Sequence, residues 1–419
     1  MTTYDVIVVG ARVAGSATAL LLARRGLTVL VVDRQRFPSD TLSTHQIQLP
    51  GVARLRRWGV LDPLVDAGTP AVSRVRFDTG DAVLDGSFPA YDGVDAVYGP
   101  RRTLLDAVLL DAARAAGAEV WEGFAVTGLI RDGDAVVGVR GTARGGADTS
   151  ARDVRGRVME TTVRARLVVG ADGKHSLVAR EVAAAAYHEE PASTAACYTY
   201  WSGVDLAGGE LYARDGRAVG AWPTNDGLIM TYVAWPIAEF DELRDDVEGN
   251  LLKTLDDAGD LGDRVRNGSR AERIRCSNDL PNRFRRPHGH GWALVGDAGL
   301  VLDPITGQGI GDAFRDAELL ADAVVAGLSG GRLDRALAGY RRRRDRAALP
   351  MYRFTRQLAR LAPMRPAERE LFAALAADPG ETERFFGVLT GVYAPTAVFN
   401  PPHLIRLLGL RGFLRLARP

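Results

Sequence analysis

The N-terminal segment constrains the fold more than any other part of the chain. An apolar strand is predicted from Tyr4 to Val9, followed by a glycine turn, an apolar helix with the sequence SATALLLARRG, and a second strand from Thr28 to Val32. Continuous apolar strands on either side of a helix are typical of a βαβ unit, whose parallel sheet is buried on both faces. We therefore predict an α/β fold built on a parallel sheet.

The glycine turn of this unit suits the binding of a dinucleotide. The segment GARVAG runs from Gly10 to Gly15, and Asp33 stands at the end of the second strand. The start of a helix offers free amides and a positive dipole end to a pyrophosphate, and the acid accepts hydrogen bonds from an adenosine ribose. Arg12 replaces the usual second glycine, so we expect its side chain to lie along the phosphates or the ribose, unless the glycines serve only helix packing. The cofactor-binding residues predicted here are Gly10, Arg12, Val13, Ala14, Gly15, Asp33 and Arg34.

Charge and composition exclude several classes of protein. The chain has 53 Lys+Arg against 52 Asp+Glu and a formal charge of +1, which argues against a dedicated nucleic-acid binder because no excess of cations can neutralise phosphates. No apolar run approaches the ~18 residues of a membrane span, and the first strand begins too early for a signal segment to precede it. Cys197 and Cys276 cannot build a disulfide framework and lack the spacing of metal ligands. We therefore expect a reduced, cytoplasmic enzyme with no metal site and no stable membrane insertion.

Three segments, taken in order, carry a family resemblance. After the glycine turn come GADGKHS at residues 170–176, directly behind an apolar strand, then GD at 296–297 and DPITGQGIGD at 303–312. Together they resemble the class A flavin-dependent monooxygenases, the para-hydroxybenzoate hydroxylase-like family, over about residues 1–335. The resemblance implies a Rossmann-like FAD-binding domain with an inserted mixed β-sheet substrate domain and C-terminal helices. The implied domains are residues 1–71, 99–182 and 271–335 for FAD, 72–98 and 183–270 for the substrate, and 336–419 for the helical region.

The resemblance also implies roles around the flavin. Asp297 is similar to the acid that binds the ribityl hydroxyls, and Asp172 to a residue that serves both FAD and the nicotinamide donor. Arg102 matches an arginine near the flavin phosphates, unless it is a surface arginine, and Val126 matches a position that meets the adenine through its backbone. Pro304, a candidate catalytic residue, opens a turn whose amides would face N1 and the C2 carbonyl of the flavin. The residues of that turn expected at the ring are Gly307, Gly309, Ile310 and Gly311.

Candidate substrate residues come from a loop and a predicted hairpin. His45, in the loop SDTLSTH, could contact flavin or substrate or move a proton, and a plain loop histidine is an equally good interpretation. The segment TNDG predicts a hairpin with a three-residue loop, in which Trp222 lies opposite Met230. An aromatic-lined apolar wall suits a planar organic substrate, and core packing is the alternative. The predicted wall consists of Trp222, Thr224, Met230 and Tyr232, with Tyr212 as a further member.

The resemblance implies hydroxylation or epoxidation of a medium-sized aromatic or polyketide-like molecule with NAD(P)H and O2, through a flavin C4a-hydroperoxide. NAD(P)H should bind transiently, because the sequence holds no separate nicotinamide-binding fold. The GQGI turn is also similar to geranylgeranyl-reductase-like proteins, which saturate C=C bonds without oxygen. Flavin-dependent halogenases use a lysine after the first βαβ unit, and residues 34–173 contain none. A non-catalytic FAD-binding protein is the remaining alternative, and the basic C-terminal tail is expected to pack on the body or on a second copy in a homodimer.

Overall fold

The computed structural model describes residues 3–43, 45–143 and 160–417. The hairpin loop that the glycine-rich sequence predicts at residues 141–153 lies, beyond Ala143, outside this described part. The strands are β1 (Thr3–Val9), β2 (Val29–Asp33), β3 (Ala71–Val72), β4 (Arg74–Asp78), β5 (Val83–Ser87), β6 (Val97–Tyr98), β7 (Glu119–Glu122), β8 (Phe124–Asp132), β9 (Ala135–Ala143), β10 (Glu160–Gly170), β11 (Ala186–Glu190), β12 (Thr194–Ser202), β13 (Gly209–Arg214), β14 (Arg217–Pro223), β15 (Ile229–Pro236), β16 (Ser269–Arg270), β17 (Arg275–Ser277), β18 (Asn282–Arg285), β19 (His288–Gly289), β20 (Trp292–Leu294) and β21 (Leu300–Val301). The α-helices are α1 (Val13–Ala23), α2 (Leu49–Arg57), α3 (Leu61–Asp66), α4 (Arg102–Ala115), α5 (Leu177–Glu181), α6 (Phe240–Asp245), α7 (Val247–Asp256), α8 (Leu261–Asn267), α9 (Gly309–Gly330), α10 (Leu333–Leu358), α11 (Pro366–Ala376), α12 (Pro379–Leu389), α13 (Pro395–Val398) and α14 (Pro401–Ala417).

The first sheet forms around the N-terminal βαβ unit. β1 lies between β10 and β2 in parallel register, so that Val8 is paired with Val169 on one side and with Val31 on the other. β20 and β7 extend the parallel order outward, while β8, β9 and β19 attach through antiparallel pairs. Because parallel strands end at the same edge, the segments that follow β1, β2, β10 and β20 meet at the carboxyl edge of this sheet.

The apolar run of β1 is explained by two cores, one on each face of the sheet. Val6 and Val8 pack into the core that contains α1, α4 and α9, and Ile7 and Val9 pack into the core that contains α5 and β8. α1 is apolar nearly all round because both α4 and α9 pack against it. The predicted βαβ unit and parallel sheet are therefore confirmed.

The second sheet has the order β16-β12-β15-β14-β13-β4-β5, with β17 also paired to β12. Trp222 of β14 lies opposite Met230 of β15, and Asp226 and Gly227 in the loop between them have φ values of 63° and 65°. Thr224 donates its amide to the Leu228 carbonyl at 2.8 Å, which closes the three-residue loop that the sequence predicts. One face of this sheet packs toward the first domain and the other packs on α7 and α8.

The cysteines differ from expectation. Cys197 of β12 is paired directly with Cys276 of β17, with a Cα–Cα distance of 4.1 Å, and the two sulfurs are bonded. The expectation of reduced cysteines is wrong for this pair, because the antiparallel register of two strands far apart in sequence brings the thiols together. The sequence offered no sign of that register, since β17 is only a short strand at the margin of the sheet.

The C-terminal region is helical, as predicted. α10 packs along α9, and α11 and α12 pack on β5 at the margin of the second sheet. α14 packs against α11, and its helical path is interrupted at Gly409, where φ is 68° and ψ is 168°. The fold is thus α/β, with a Rossmann-like domain, a mixed second sheet and C-terminal helices, which confirms the predicted fold class. The domain boundaries given above stay a prediction.

Candidate active site

The carboxyl edge of the first sheet begins with a turn that requires glycine. Gly10 has a φ of 104°, and a Cβ on it would lie 2.5 Å from the Ala171 carbonyl oxygen. A Cβ on Gly15 would lie 1.8 Å from the Gly10 carbonyl oxygen. Both distances are shorter than atoms can approach, so the glycines allow β1, the start of α1 and the segment after β10 to pack together. Arg12 is the N-cap of α1 and makes no side-chain bond to the first amides of the helix.

Ala14 joins this turn to the segment after β20. Gly296 has a φ of 59°, and a Cβ there would lie 2.6 Å from the Ala14 side chain. The next residue, Asp297, is exposed to solvent although protein surrounds it, and this enclosure raises the pKa of its carboxyl against the charges of Arg102 and Lys174. No donor in the described residues bonds to this carboxylate. It therefore lines an open cleft and can accept two vicinal hydroxyls.

Asp33 ends β2 at the same edge. Its Oδ2 accepts the Ala11 amide at 2.7 Å, and its Oδ1 accepts the Gln35 amide at 2.8 Å. These bonds hold the carboxylate beside the glycine turn, and lone pairs remain for ribose hydroxyls. Arg34 is exposed, whereas Val13 is buried in the first turn of α1.

Two of the predicted arginines meet at a carboxylate that no motif indicated. Asp106 is fully buried and accepts hydrogen bonds from Arg12 at 2.6 Å and from Arg102 at 2.9 Å. Arg12 also donates to the Ser39 carbonyl at 3.1 Å and to the Asp40 carbonyl at 3.0 Å. Its guanidinium therefore joins the loop after β2 to α4, which differs from the expected position along the phosphates because the buried carboxylate attracts it. The four-residue spacing of Arg102 and Asp106 on α4 was the available signal.

Pro304 begins a single 3-10 turn at residues 304–306 whose shape depends on Asp303. The Asp303 carboxylate accepts the Ile305 amide at 3.0 Å and the hydroxyl of Thr194, while its own amide donates to Asn282 at 2.8 Å. Burial raises the pKa of Asp303 to about 6, and the bonds from Thr194 and Ile305 oppose that shift. The turn that carries Pro304 is thus held in place from the second sheet, through β12.

The N-terminus of α9 opens on free space. Gly307 takes a φ of 61°, which turns the chain into the helix that starts at Gly309. A Cβ on Gly309 or Gly311 would meet no atom within 4 Å, so a planar ring can approach the backbone here. Ile310 is buried between them. A helix N-terminus at this point favours negative charge on whatever lies in front of it.

Asp172 and Val126 lie at other parts of this edge. Asp172 accepts the Ser176 hydroxyl at 2.5 Å and the Leu177 amide at 2.6 Å, so both of its oxygens serve its own turn. Burial raises the pKa of Asp172, and these bonds work in the opposite direction. Val126 is half-buried in β8, opposite Gly141. The observed contacts of Asp172 shape the segment after β10.

His45 is a buried residue, not an exposed loop histidine. It is 2% exposed and has a φ of 61°. Its Nε2 is hydrogen-bonded to the Tyr200 hydroxyl, while Nδ1 has no partner in the described residues. Burial holds the pKa of His45 well below 6.5, and the charges of Arg102, Arg101 and Arg275 lower it further. The ring is therefore neutral at physiological pH. The sequence could not reveal Tyr200, which lies on β12.

His45 meets three of the four predicted wall residues at one small cavity. Trp222, Thr224 and Met230 line this cavity of about 10 Å³ together with His45. The Thr224 hydroxyl donates to the Gly99 carbonyl at 2.6 Å, which leaves the two apolar side chains to form the wall. The cavity is large enough for about one water, so it is a contact point for one group of a ligand.

A second, much larger cavity lies between the second sheet and the C-terminal helices. It has a volume of about 1340 Å³ and is lined by Tyr232 of the sheet and by Ile305 of the turn described above. The Tyr232 hydroxyl is buried without a hydrogen-bond partner in the described part of the chain, and burial, with the Asp303 carboxylate, raises its pKa. Tyr212 does not join this wall: its ring packs in the core with α7 and α8, on the opposite face of the sheet, and its hydroxyl donates to Glu210 at 2.7 Å.

Comparison with known proteins identifies the family. A family model described as an FAD binding domain matches residues 3–355, so the chain belongs to this FAD-binding family. A digeranylgeranylglycerophospholipid reductase of Methanococcoides burtonii is 28% identical over 336 residues, which cover 77% of this chain and 74% of the relative. The flavin-dependent brominase Bmp2 has a structure with a TM-score of 0.79 and 21% identity, covering 97% of this chain and 98% of that one. PqsL, a probable FAD-dependent monooxygenase from Pseudomonas aeruginosa, has a TM-score of 0.68 at 21% identity, covering 92% of this chain and 100% of that one.

The family and the geometry agree on the cofactor. The open carboxylate of Asp297, the helix start behind Gly10 and the free space at Gly309 fit the ribityl chain, the pyrophosphate and the ring of FAD, respectively. The likeness to the two solved structures shows the fold alone. None of the helices in the described ranges combines the length and apolar character that a membrane crossing requires.

Proposed function

We propose that the protein is an FAD-dependent monooxygenase that uses NAD(P)H and O2 to hydroxylate or epoxidise a medium-sized aromatic or polyketide-like molecule. The observation that carries this proposal is the cavity of about 1340 Å³ that reaches the flavin turn at Ile305. A substrate bound there would lie next to the flavin ring and be shielded from water. The bound flavin supplies the redox chemistry, which is hydride acceptance and activation of O2.

The residues of the chain have the tasks of binding, orientation and charge stabilisation. Asp33 and Asp297 bind the ribose and ribityl hydroxyls, and the amides in front of α1 bind the pyrophosphate. The N-terminus of α9 stabilises negative charge at Gly309 and Gly311, by about 1 to 2 kcal/mol in a partly buried setting. NAD(P)H binds transiently and leaves before the substrate is oxygenated.

His45 is proposed to hold a ligand and not to store a proton. Its imidazole is neutral, and the unpartnered Nδ1 sits at the cavity that Trp222 and Met230 also line. A single polar atom among apolar side chains orients a ligand without charging the site. The Tyr232 hydroxyl, which is also buried and unpartnered, is proposed to serve the larger cavity in the same way. Pro304 contributes by starting the turn between the two cavities.

The test of this function follows the oxygen atom. The FAD-loaded protein is incubated with NADH or NADPH under ¹⁸O2, with a panel of aromatic and polyketide-like compounds. A monooxygenase should consume one NAD(P)H for each product molecule and place one ¹⁸O atom in that product. Product without label, or product formed equally well under argon, would contradict the proposal.

A C=C reductase is the second candidate, because of the size of the cavity. Its volume of about 1340 Å³ exceeds the roughly 300–1000 Å³ of most small-molecule sites and suits a long apolar chain. The reductase relative from Methanococcoides burtonii acts, by its name, on a digeranylgeranylglycerophospholipid. Under argon, a product that gains two hydrogens for each NAD(P)H consumed would favour this candidate.

Halogenation is not favoured by the positions of the lysines. Lys174 and Lys253 are the only lysines of the chain. Lys174 pairs with Asp279 at 3.1 Å, and Lys253 lies on α7 behind the second sheet. Neither lysine lines the small or the large cavity. We therefore do not extend the likeness to Bmp2 to its activity.

A further inference from the structure

We infer that the substrate is an anionic amphiphile, with an apolar body in the large cavity and a carboxylate or phosphate group at arginines on its rim. This inference rests on the proposed function and names the substrate class of the same site. It follows from the distribution of charge around the cavity, which differs from that of the chain as a whole.

The interior of the cavity is apolar. Phe77, Phe372 and Phe385 line it and contact one another, with ring centroids 5.3 to 5.6 Å apart. Phe399 and Leu389 continue the same wall. Such a surface binds hydrocarbon or aromatic groups by excluding water, and it offers nothing that solvates a charge.

The rim of the cavity is rich in arginine, although the chain has 53 Lys+Arg against 52 Asp+Glu. Most of the lining arginines are neutralised by a carboxylate at 2.5 to 3.1 Å, namely Arg214, Arg217, Arg356, Arg365 and Arg369. Arg346, Arg353 and Arg360 also line the cavity, yet no carboxylate in the described ranges lies within 4 Å of them. Among the lining acids, Asp215 alone is without an ion pair in the same part of the chain. The rim therefore carries a local excess of positive charge.

The three unpaired arginines form a row. Arg346 and Arg353 are seven residues apart on α10, which is about two turns and about 10 Å, and Arg360 follows after a further seven residues, just beyond the helix end. All three are exposed, so their guanidinium groups are free to meet a ligand at the open side. A guanidinium binds a carboxylate or phosphate through two parallel hydrogen bonds. An apolar interior with such a row at its entrance matches a molecule with one apolar end and one anionic end.

The inference is tested by binding to the FAD-loaded protein without NAD(P)H, so that it does not depend on turnover. The probes are decyl phosphate, decanoate and the neutral decanol, each titrated below its aggregation limit and followed by calorimetry. The test variant is R353Q/R360Q, and the control is R335Q/R342Q, which removes two exposed arginines from the same helix that do not line the cavity. We expect both anions to bind at least about 10-fold more tightly than decanol, and R353Q/R360Q to lose that preference while the control keeps it. A large excess of inorganic phosphate should not abolish binding of decyl phosphate, because the apolar body provides much of the affinity.

Each possible result has a definite meaning. Retention of the anion preference by R353Q/R360Q, or equal affinity of the unchanged protein for decanol and the anions, would overturn the inference. Binding of inorganic phosphate as tight as that of decyl phosphate would also overturn it, since the cavity would then play no part. Unchanged affinity for decanol in R353Q/R360Q would show that the variant is folded. Failure of the ¹⁸O experiment would leave these results standing, so the two proposals fail separately.

Discussion

Asp106 should be the residue whose loss most weakens the cofactor-binding half of the molecule. Its carboxylate has no exposed surface and is shared by Arg12 and Arg102, whose side chains are 24% and 10% exposed. Removal of one partner of a buried ion pair costs about 3 to 5 kcal/mol, because the remaining charge is left without compensation. Arg12 keeps its bonds to Ser39 and Asp40, so we take the lower end, about 3 kcal/mol, for Asp106→Asn.

The assay for this prediction is thermal unfolding of the FAD-loaded protein at fixed FAD concentration, followed by tryptophan and flavin fluorescence. At about 2 °C per kcal/mol, D106N should melt about 6 °C lower than the unchanged protein. The control is D111N on the same helix, since the Asp111 side chain is 70% exposed and pairs only with Arg114, an interaction of at most about 0.5 kcal/mol. A D106N protein that melts within about 2 °C of D111N, with equal FAD affinity, would refute the reasoning.

Three further predictions concern the cofactor, pH and the cysteines. Asp297→Asn should lower FAD affinity by about 10-fold or more without loss of secondary structure, measured by flavin retention on gel filtration, because a charge-assisted hydrogen bond is worth about 1.5 to 3 kcal/mol; stoichiometric retention after dilution would count against the placement. His45→Asn should flatten the acid side of the stability curve: the pKa of His45 is held below 6.5, so only the unfolded state takes up a proton there, and the unchanged protein should lose up to about 1.4 kcal/mol per pH unit more than H45N as the pH falls below 6.5 in urea titrations. Identical slopes would mean that the ring is solvated. The denatured chain should show no free thiol before reduction and two after it, whereas two free thiols before reduction would contradict the Cys197–Cys276 bond.

The parts of the site that were predictable depend on neighbouring residues. The glycine turn, Asp33 and the α9 turn are local patterns in which strand, turn and helix follow one another, so their geometry is encoded within about 25 residues. The pairing of Trp222 with Met230 was predictable for the same reason, because a short loop determines hairpin register.

Tyr212 was misplaced although a signal existed. Asp215 and Gly216 form a two-residue turn typical of a tight hairpin, which pairs Tyr212 with Val219. Because side chains alternate along β14, Val219 and Trp222 lie on opposite faces of the sheet. Applied to both hairpins, the rule would have placed the Tyr212 ring away from the predicted wall.

The sequence by itself determined the βαβ start, the FAD-binding positions and the hairpin, since each depends on backbone geometry between close neighbours. Only the tertiary structure decided that Arg12 turns to Asp106, that His45 is buried against Tyr200 and that Cys197 is bonded to Cys276. These contacts join residues 79 to 155 positions apart, and they depend on sheet order and helix packing that no local pattern encodes. The large cavity has the same origin, because its walls come from the second sheet, the flavin turn and the C-terminal helices, which meet only once the whole chain has folded.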